Sequence, residues 1–279
     1  MSENKKLRLF DTHCHLDFSI FEREFEHHLH LARQQGVEKI VIPAVGPSNW
    51  QRVAELANGY PELYFALGFH PCFLSTSSPA DIDELEQKLL QKPAQCVALG
   101  ECGLDFATDI APALQETMFE MQLELAKRAR LPLILHSRKA HNRLIQLLKK
   151  HQFNQGGVLH AFSGSVQQAN QFIELGFKIG VGGVITYPRA NKTRLTIAAL
   201  PIESLVLETD APDMPLNGFQ GQANHPQKLP IILQTLALLK NQSEQTVADV
   251  LWKNPFSVLS GVNKFEMKCR FNDSSISKY

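Results

Sequence analysis

The sequence carries no net charge, no long apolar run and no regular cysteine pattern, and each absence removes a class of protein. Its 28 lysines and arginines are balanced by 28 aspartates and glutamates. A protein that coats duplex DNA gains affinity by neutralising many phosphates; a balanced chain suits an enzyme that grips a few phosphates at one pocket. No stretch approaches the roughly 20 apolar residues that span a bilayer. Residues 1–10 carry lysines without the apolar centre of a secretory signal. Five cysteines, odd in number and irregular in spacing, do not make a disulfide framework. The expected compartment is a reducing cytoplasm, with no membrane association and no obligate protein partner. Linkers rich in proline, glycine and serine are lacking too, so nothing divides the chain.

What is present is an alternation of short apolar runs with amphipathic segments. The runs cover residues 7–10, 39–45, 63–68, 96–100, 131–135, 157–159, 177–180 and 204–207. Most are continuous blocks of Val, Ile and Leu, as parallel strands covered on both faces require. Between them Phe21, Phe25, Leu29 and Ala32 share one helical face that Gly36 ends. Ser48 is placed to cap the next helix and Ser165 a later one. Further helices are expected after Pro112, around Leu144, over 193–200 and over 226–239. A last one over 244–260 returns the chain across the fold. With 279 residues, eight strand–helix units in one series predict an α/β protein built as a single (β/α)8 TIM barrel. The barrel is expected over 1–264, with a polar tail at 265–279. An open doubly wound sheet shares the alternation.

The placement of the titratable residues points to function. His13 and His15 follow the first run in Asp11-Thr12-His13-Cys14-His15. His70 follows the third, Glu101 ends the fourth, His136 the fifth, His160 the sixth, and Asp210 follows the eighth. All lie at C-terminal strand ends, the face on which barrel enzymes build their sites. Alternate residues of a strand face the same way, so His13 and His15 can reach one cation while Cys14 points elsewhere. Glu101 and Asp210 add anionic oxygens, and a glutamate can bridge two cations about 4 Å apart. Six such residues on one rim predict a metal centre of His13, His15, Glu101, His136, His160 and Asp210 that holds two divalent cations. Imidazole with carboxylate suits zinc or manganese, and magnesium if waters complete the shell. Cys14 and Cys102 are expected to pack as small apolar groups. Asp105 either orients a ligand or caps a helix. His27, His28, His30, His141 and His151 are expected at helix surfaces or ends. Gly180-Val181-Gly182-Gly183 lacks the context of a dinucleotide fingerprint and is expected to let chain or substrate approach closely.

The motifs Phe10-Asp11-Thr12-His13-Cys14-His15-Leu16-Asp17, Gly68-Phe69-His70-Pro71, Gly100-Glu101-Cys102-Gly103-Leu104-Asp105, His160-Ala161-Phe162-Ser163-Gly164 and Glu208-Thr209-Asp210-Ala211-Pro212 resemble, in order, those of the TatD family of metal-dependent deoxyribonucleases. The stretch from Asp213 to Gly221 resembles its YjjV branch. The resemblance implies a barrel of the metallo-dependent hydrolase type. One cation would sit on His13, His15, Glu101 and Asp210, the other on Glu101, His136 and His160, with His70 beside the substrate. Where better-studied members carry an Arg-x-x-Pro-type stretch, this chain has Ala223-Asn224-His225-Pro226, a departure that bears on substrate contacts.

The expected reaction is hydrolysis by a metal-bridged hydroxide, with Asp210 as ligand and general base and Glu101 and His70 as further catalytic residues. His70 and Arg138 are candidates to hold a phosphate, and Phe162 and Phe69 to stack on a terminal base. The leading substrate is a DNA end or a small phosphodiester. The rival is amide, ester or lactone hydrolysis at the same dinuclear site. Fold alone does not separate them.

Overall fold

The computed structural model describes residues 7–76 and 79–262. Eight parallel strands form one sheet in chain order: β1 (Leu9–Asp11), β2 (Val37–Pro43), β3 (Leu63–Leu67), β4 (Cys96–Asp105), β5 (Leu133–Arg138), β6 (Gly157–Leu159), β7 (Phe177–Val181) and β8 (Leu205–Leu207). Hydrogen bonds just beyond β1 and β8 join the two ends. The Thr12 amide and hydroxyl both donate to the Leu207 carbonyl at 2.9 Å. The Asp210 amide donates to the His13 carbonyl at 2.8 Å, and Cys14 forms a parallel bridge with Ala211. The expected barrel is therefore the observed fold. The proposed tail at 265–279 lies outside the described residues.

Strand period decides which side chains fill the barrel. Phe10, Val41, Tyr64, Ala66, Val97, Ile134, Val158 and Val206 form the inner cluster. Their neighbours Leu9, Ile40, Ile42, Leu63 and Phe65 point outward into the layer beneath the helices. This in-and-out alternation is what a parallel barrel requires of strands buried on both sides. Each fully buried apolar side chain contributes roughly 1.5–3 kcal/mol relative to exposure. Trp252, Phe256, Leu259 and Val262 pack onto the inner cluster, so the C-terminal segment returns across the fold as expected. The Ser260 amide donates to the Val97 carbonyl at 2.9 Å and ties that segment to β4.

The helical layer comprises α1 (Ser19–Glu22), α2 (Phe25–Gln34), α3 (Pro47–Gly59), α4 (Pro79–Leu90), α5 (Pro112–Ala129), α6 (His141–Lys150), α7 (Val166–Glu174), α8 (Asn191–Ala199), α9 (Leu229–Lys240) and α10 (Glu244–Leu251). The first amphipathic segment breaks in two between Glu22 and Phe25, while Phe21, Leu29 and Ala32 remain buried as their spacing predicts. Gly36 adopts φ +83°, and a Cβ there would collide with the Leu7 carbonyl; only glycine fits that stop. Ser165 caps α7 in a reciprocal capping box with Gln168, which satisfies amides that the helix itself leaves unpaired. Ser48 does not cap α3. Gly46 is the N-cap there, and Asn49 Oδ1 accepts from the Val45 and Gly46 amides.

β4 runs five residues past the apolar block at 96–100. Its register with β5 shifts between Leu99 and Cys102, then resumes with Gly103 opposite His136 and Asp105 opposite Arg138. The Gly100–Glu101 peptide is cis. This extension carries Glu101 and Asp105 on one strand into the barrel mouth.

Candidate metal centre

Glu101 lies at the centre of the mouth, 1% exposed. Its Oε2 is 3.1 Å from His13 Nε2 and 3.7 Å from His15 Nε2. Its Oε1 is 2.8 Å from His160 Nε2, 3.1 Å from His136 Nδ1 and 3.2 Å from His70 Nε2. Asp210 Oδ1 stands 3.4 Å from His13 Nε2 and 3.8 Å from His15 Nε2. Within each of the sets His13–His15–Glu101, Glu101–His136–His160 and His13–His160–Asp210, the donor atoms lie within 4.8 Å of one another. The structure thus brings all six predicted ligand residues together, and the first two sets meet at Glu101.

Local structure explains the convergence. The bridge from Cys14 to Ala211 keeps residues 13–15 extended, so His13 and His15 share a face and Cys14 turns into the core. Their Nε2 atoms are 3.3 Å apart. The His13 ring stacks on that of His160, with centroids 4.0 Å apart. Buried Asp11 fixes the seam: Oδ1 accepts from the Thr209 amide at 2.9 Å and Oδ2 from the Thr209 hydroxyl at 2.6 Å. Asn224 Nδ2 donates to the Thr209 carbonyl at 2.8 Å. The stretch that departs from the family pattern is therefore structural at Asn224.

A second ring of contacts fixes ligand orientation. His136 Nε2 lies 3.0 Å from Asp105 Oδ2, so that nitrogen carries the proton and Nδ1 faces Glu101. Gln115 holds the Asp105 backbone through both its amide oxygen and nitrogen. His70 Nδ1 accepts from the Cys72 amide at 3.1 Å, which leaves the proton on Nε2. Gln122 holds the Phe69 backbone just before it.

The electrostatics fit a site that requires cations. Burial, then the His160 imidazole, holds His13 well below its ordinary pKa, and burial lowers His15 to about 4. Both stay neutral, the ligating form. Burial alone would raise Glu101, but His160, His70 and His13 together hold it well below the usual carboxylate range. Asp210 is pushed far up by burial and by the charges of Glu101 and Asp213. Burial opposes protonation of His136, yet Asp105 and Glu101 lift it to about 9, so without a cation both its nitrogens carry protons, and ligation through Nδ1 would release the one facing Glu101. Glu101 Oε2 is a buried carboxylate oxygen with no hydrogen-bond donor. Such an atom is costly unless paired or metal-bound.

Sequence reasoning gave Glu208 no role. It is fully buried, accepts from the Ala161 amide at 2.5 Å, and its carboxyl is raised to about 8 by burial. It thereby anchors the residue after His160. A Cβ on Gly180 would collide with the Glu208 carboxylate, so that glycine serves a close approach of chain, as its motif predicts. The glycine was the visible half of that pair; the acid it accommodates sits 28 residues further along the chain.

Two expectations are corrected, base stacking by the phenylalanines and the surface position of His28. Phe162 and Phe69 are 3% and 1% exposed; Phe162 packs edge-on to His141 and Phe69 to Trp50, so neither presents a face to a base. His141 stands at a helix end as expected, the first residue of α6, and is buried there; His28, expected at the surface, is half-buried with its ring stacked on His225 at 5.1 Å. Arg138, the candidate phosphate holder, is exposed at the end of β5, opposite Asp105 in register. Cys14 and Cys102, as expected, lie in the core.

Residues 10–260 match the model of the TatD related DNase family. The chain belongs to the TatD family. It is 49% identical over 254 residues to the uncharacterized metal-dependent hydrolase YjjV of Escherichia coli K12, covering 91% of this chain and 98% of that protein. The crystal structure of YjjV from E. coli K12 superposes with a TM-score of 0.88 at 48% identity, over 91% of this chain and 98% of that one. The chain is 34% identical to the 3'-5' ssDNA/RNA exonuclease TatD of Klebsiella pneumoniae, over 85% of this chain and 92% of the relative. It is a TatD-family metal-dependent hydrolase of the TIM-barrel class. No helix among the described residues is long and apolar enough to cross a membrane.

Proposed function

We propose that this TatD-family hydrolase is a phosphodiesterase that removes nucleotides from the end of single-stranded DNA at a dinuclear centre. His13, His15, Glu101 and Asp210 would hold one divalent cation, and Glu101, His136 and His160 the other. One observation carries the reading: two sets of donor atoms meet at a single buried carboxylate. The donor set suits zinc or manganese, and magnesium with added water. The TatD exonuclease of K. pneumoniae, similar over most of this chain, supports a nucleic-acid end as substrate. Free thiols at Cys14, Cys72, Cys96 and Cys102 suit a reducing cytoplasm.

Divalent cations, when bound, would supply the acidity that makes water a nucleophile at neutral pH and would screen charge on the phosphoryl oxygens. Asp210, whose carboxyl a bound cation would return to its ionised form, would be placed to take up a proton from an attacking water. His70 carries its proton on Nε2, since Nδ1 accepts from Cys72, and would offer it to a phosphoryl oxygen in place of the Glu101 oxygen it now faces at 3.2 Å. Glu101 joins the two donor sets, and Asp105 keeps His136 Nδ1 turned toward them.

A panel of single-stranded DNA, small esters and amides, each with and without chelator, tests the reading. Release of mononucleotides that EDTA abolishes is the expected result. Turnover of esters or amides alone would overturn it in favour of a small-molecule hydrolase.

A further inference from the structure

Residues of the loops and helix starts after β5, β6 and β7 line an open cavity of about 490 Å³. Its lining includes Lys139, His141, Arg143, Ser163, Gln168 and Lys192. No aspartate or glutamate is among the lining residues. Arg143 is already engaged by Glu116, at 2.6 and 2.8 Å, which leaves Lys139 and Lys192 as the exposed cations of the wall. The ten-residue helix α6 begins here. Its N-cap is Ala140, which has no side chain to satisfy the first amides. α8 begins at Asn191, likewise with an alanine N-cap. Uncapped helix starts present free amides and partial positive charge.

His141 supplies the independent observation. It is only 9% exposed, lines the cavity, and its Nε2 has no hydrogen-bond partner. A buried imidazole nitrogen without a partner is costly unless a ligand completes it. Packing against Phe162 and Phe172 holds the ring in place. Ser163 follows the proposed ligand His160 by three residues, a span of at most about 11 Å, so the cavity adjoins the reacting centre on the same face of the barrel.

We propose that this cavity is an anion subsite that holds a backbone phosphate of the bound strand, one or two nucleotides away from the bond being cleaved. The inference rests on the phosphodiesterase reading and adds where the strand beyond the cleaved bond is held. Lys139 and Lys192 neutralise the phosphate, the α6 amides donate to its oxygens, and His141 completes the wall. Helix starts that bind phosphate in this way are a general device.

The test compares kcat/KM for single-stranded dT10 with that for bis(p-nitrophenyl) phosphate in the metal-loaded enzyme. The proteins are wild type, the Lys139→Ala/Lys192→Ala double variant and His141→Gln. For the double variant, dT10 turnover is expected to fall roughly tenfold or more, chiefly through KM, while turnover of the small ester changes less than about twofold. The slope of log KM for dT10 against log salt is expected to lessen by about 0.7 for each phosphate that is no longer neutralised. His141→Gln is expected to shift the same ratio in the same direction. A double variant that matches wild type on both substrates, with the same salt slope, would overturn the subsite alone. A wild-type enzyme that turns over neither substrate would overturn the phosphodiesterase reading and this subsite with it.

Discussion

His136 lies between two carboxylates: Nε2 is 3.0 Å from Asp105 Oδ2, and Nδ1 is 3.1 Å from Glu101 Oε1. The first contact fixes the tautomer and so aims the second nitrogen at the centre. Asp105 itself is held down to about 2: burial opposes its ionisation, but the His136 contact and the Ala107 amide outweigh it. Asp105→Asn removes that charge while keeping the shape. We expect metal affinity or turnover to fall by about 10–100-fold, the usual cost of losing such a partner. Titration of divalent metal into the chelator-treated protein measures this, and wild-type affinity together with wild-type turnover would rule out the orienting role.

Gly180 and Glu208 are a packed pair. A Cβ at position 180 would collide with the Glu208 carboxylate. Gly180→Ala is expected to lower stability by about 1–3 kcal/mol, the range for overpacking. Combining it with Glu208→Ala should give a coupling of at least about 1 kcal/mol by urea unfolding. Simple additivity of the two changes would show that the close approach carries no energy.

His141 makes stability depend on pH in a defined window. Burial, with the charge of Lys192 adding to it, lowers its pKa from 6.5 to about 4. Between those values the unfolded chain binds the proton and the folded chain does not. Stability therefore rises with pH across the window, and declines as pH falls from about 6.5 toward 4. At about pH 5 the wild type should be weakened by about 2 kcal/mol more than His141→Gln, relative to each protein at neutral pH. Urea unfolding at both pH values checks it, and parallel declines in the two proteins would contradict the assignment.

Much of the barrel was legible because its strands are buried on both faces and read as continuous apolar blocks, as at 63–68 and 157–159. The rim was legible because titratable residues followed those blocks. The extension of β4 to Asp105 was hidden: the apolar block stops at Gly100, whereas pairing with His136 and Arg138 keeps the strand extended beyond it. Phe162 looked available because it follows His160, yet tertiary packing buries it on His141. Asp11 and Glu208 stood within quoted motifs, but their role is to accept backbone amides from distant segments. Spacing along a chain does not display such contacts.

The most direct test is the metal content of purified protein loaded with zinc or manganese, measured for the wild type and for Glu101→Gln. If one carboxylate joins two donor sets, the wild type holds about two ions per chain and the single substitution depletes both positions together. Two ions retained by Glu101→Gln, or a saturated wild type with one, would contradict the shared centre.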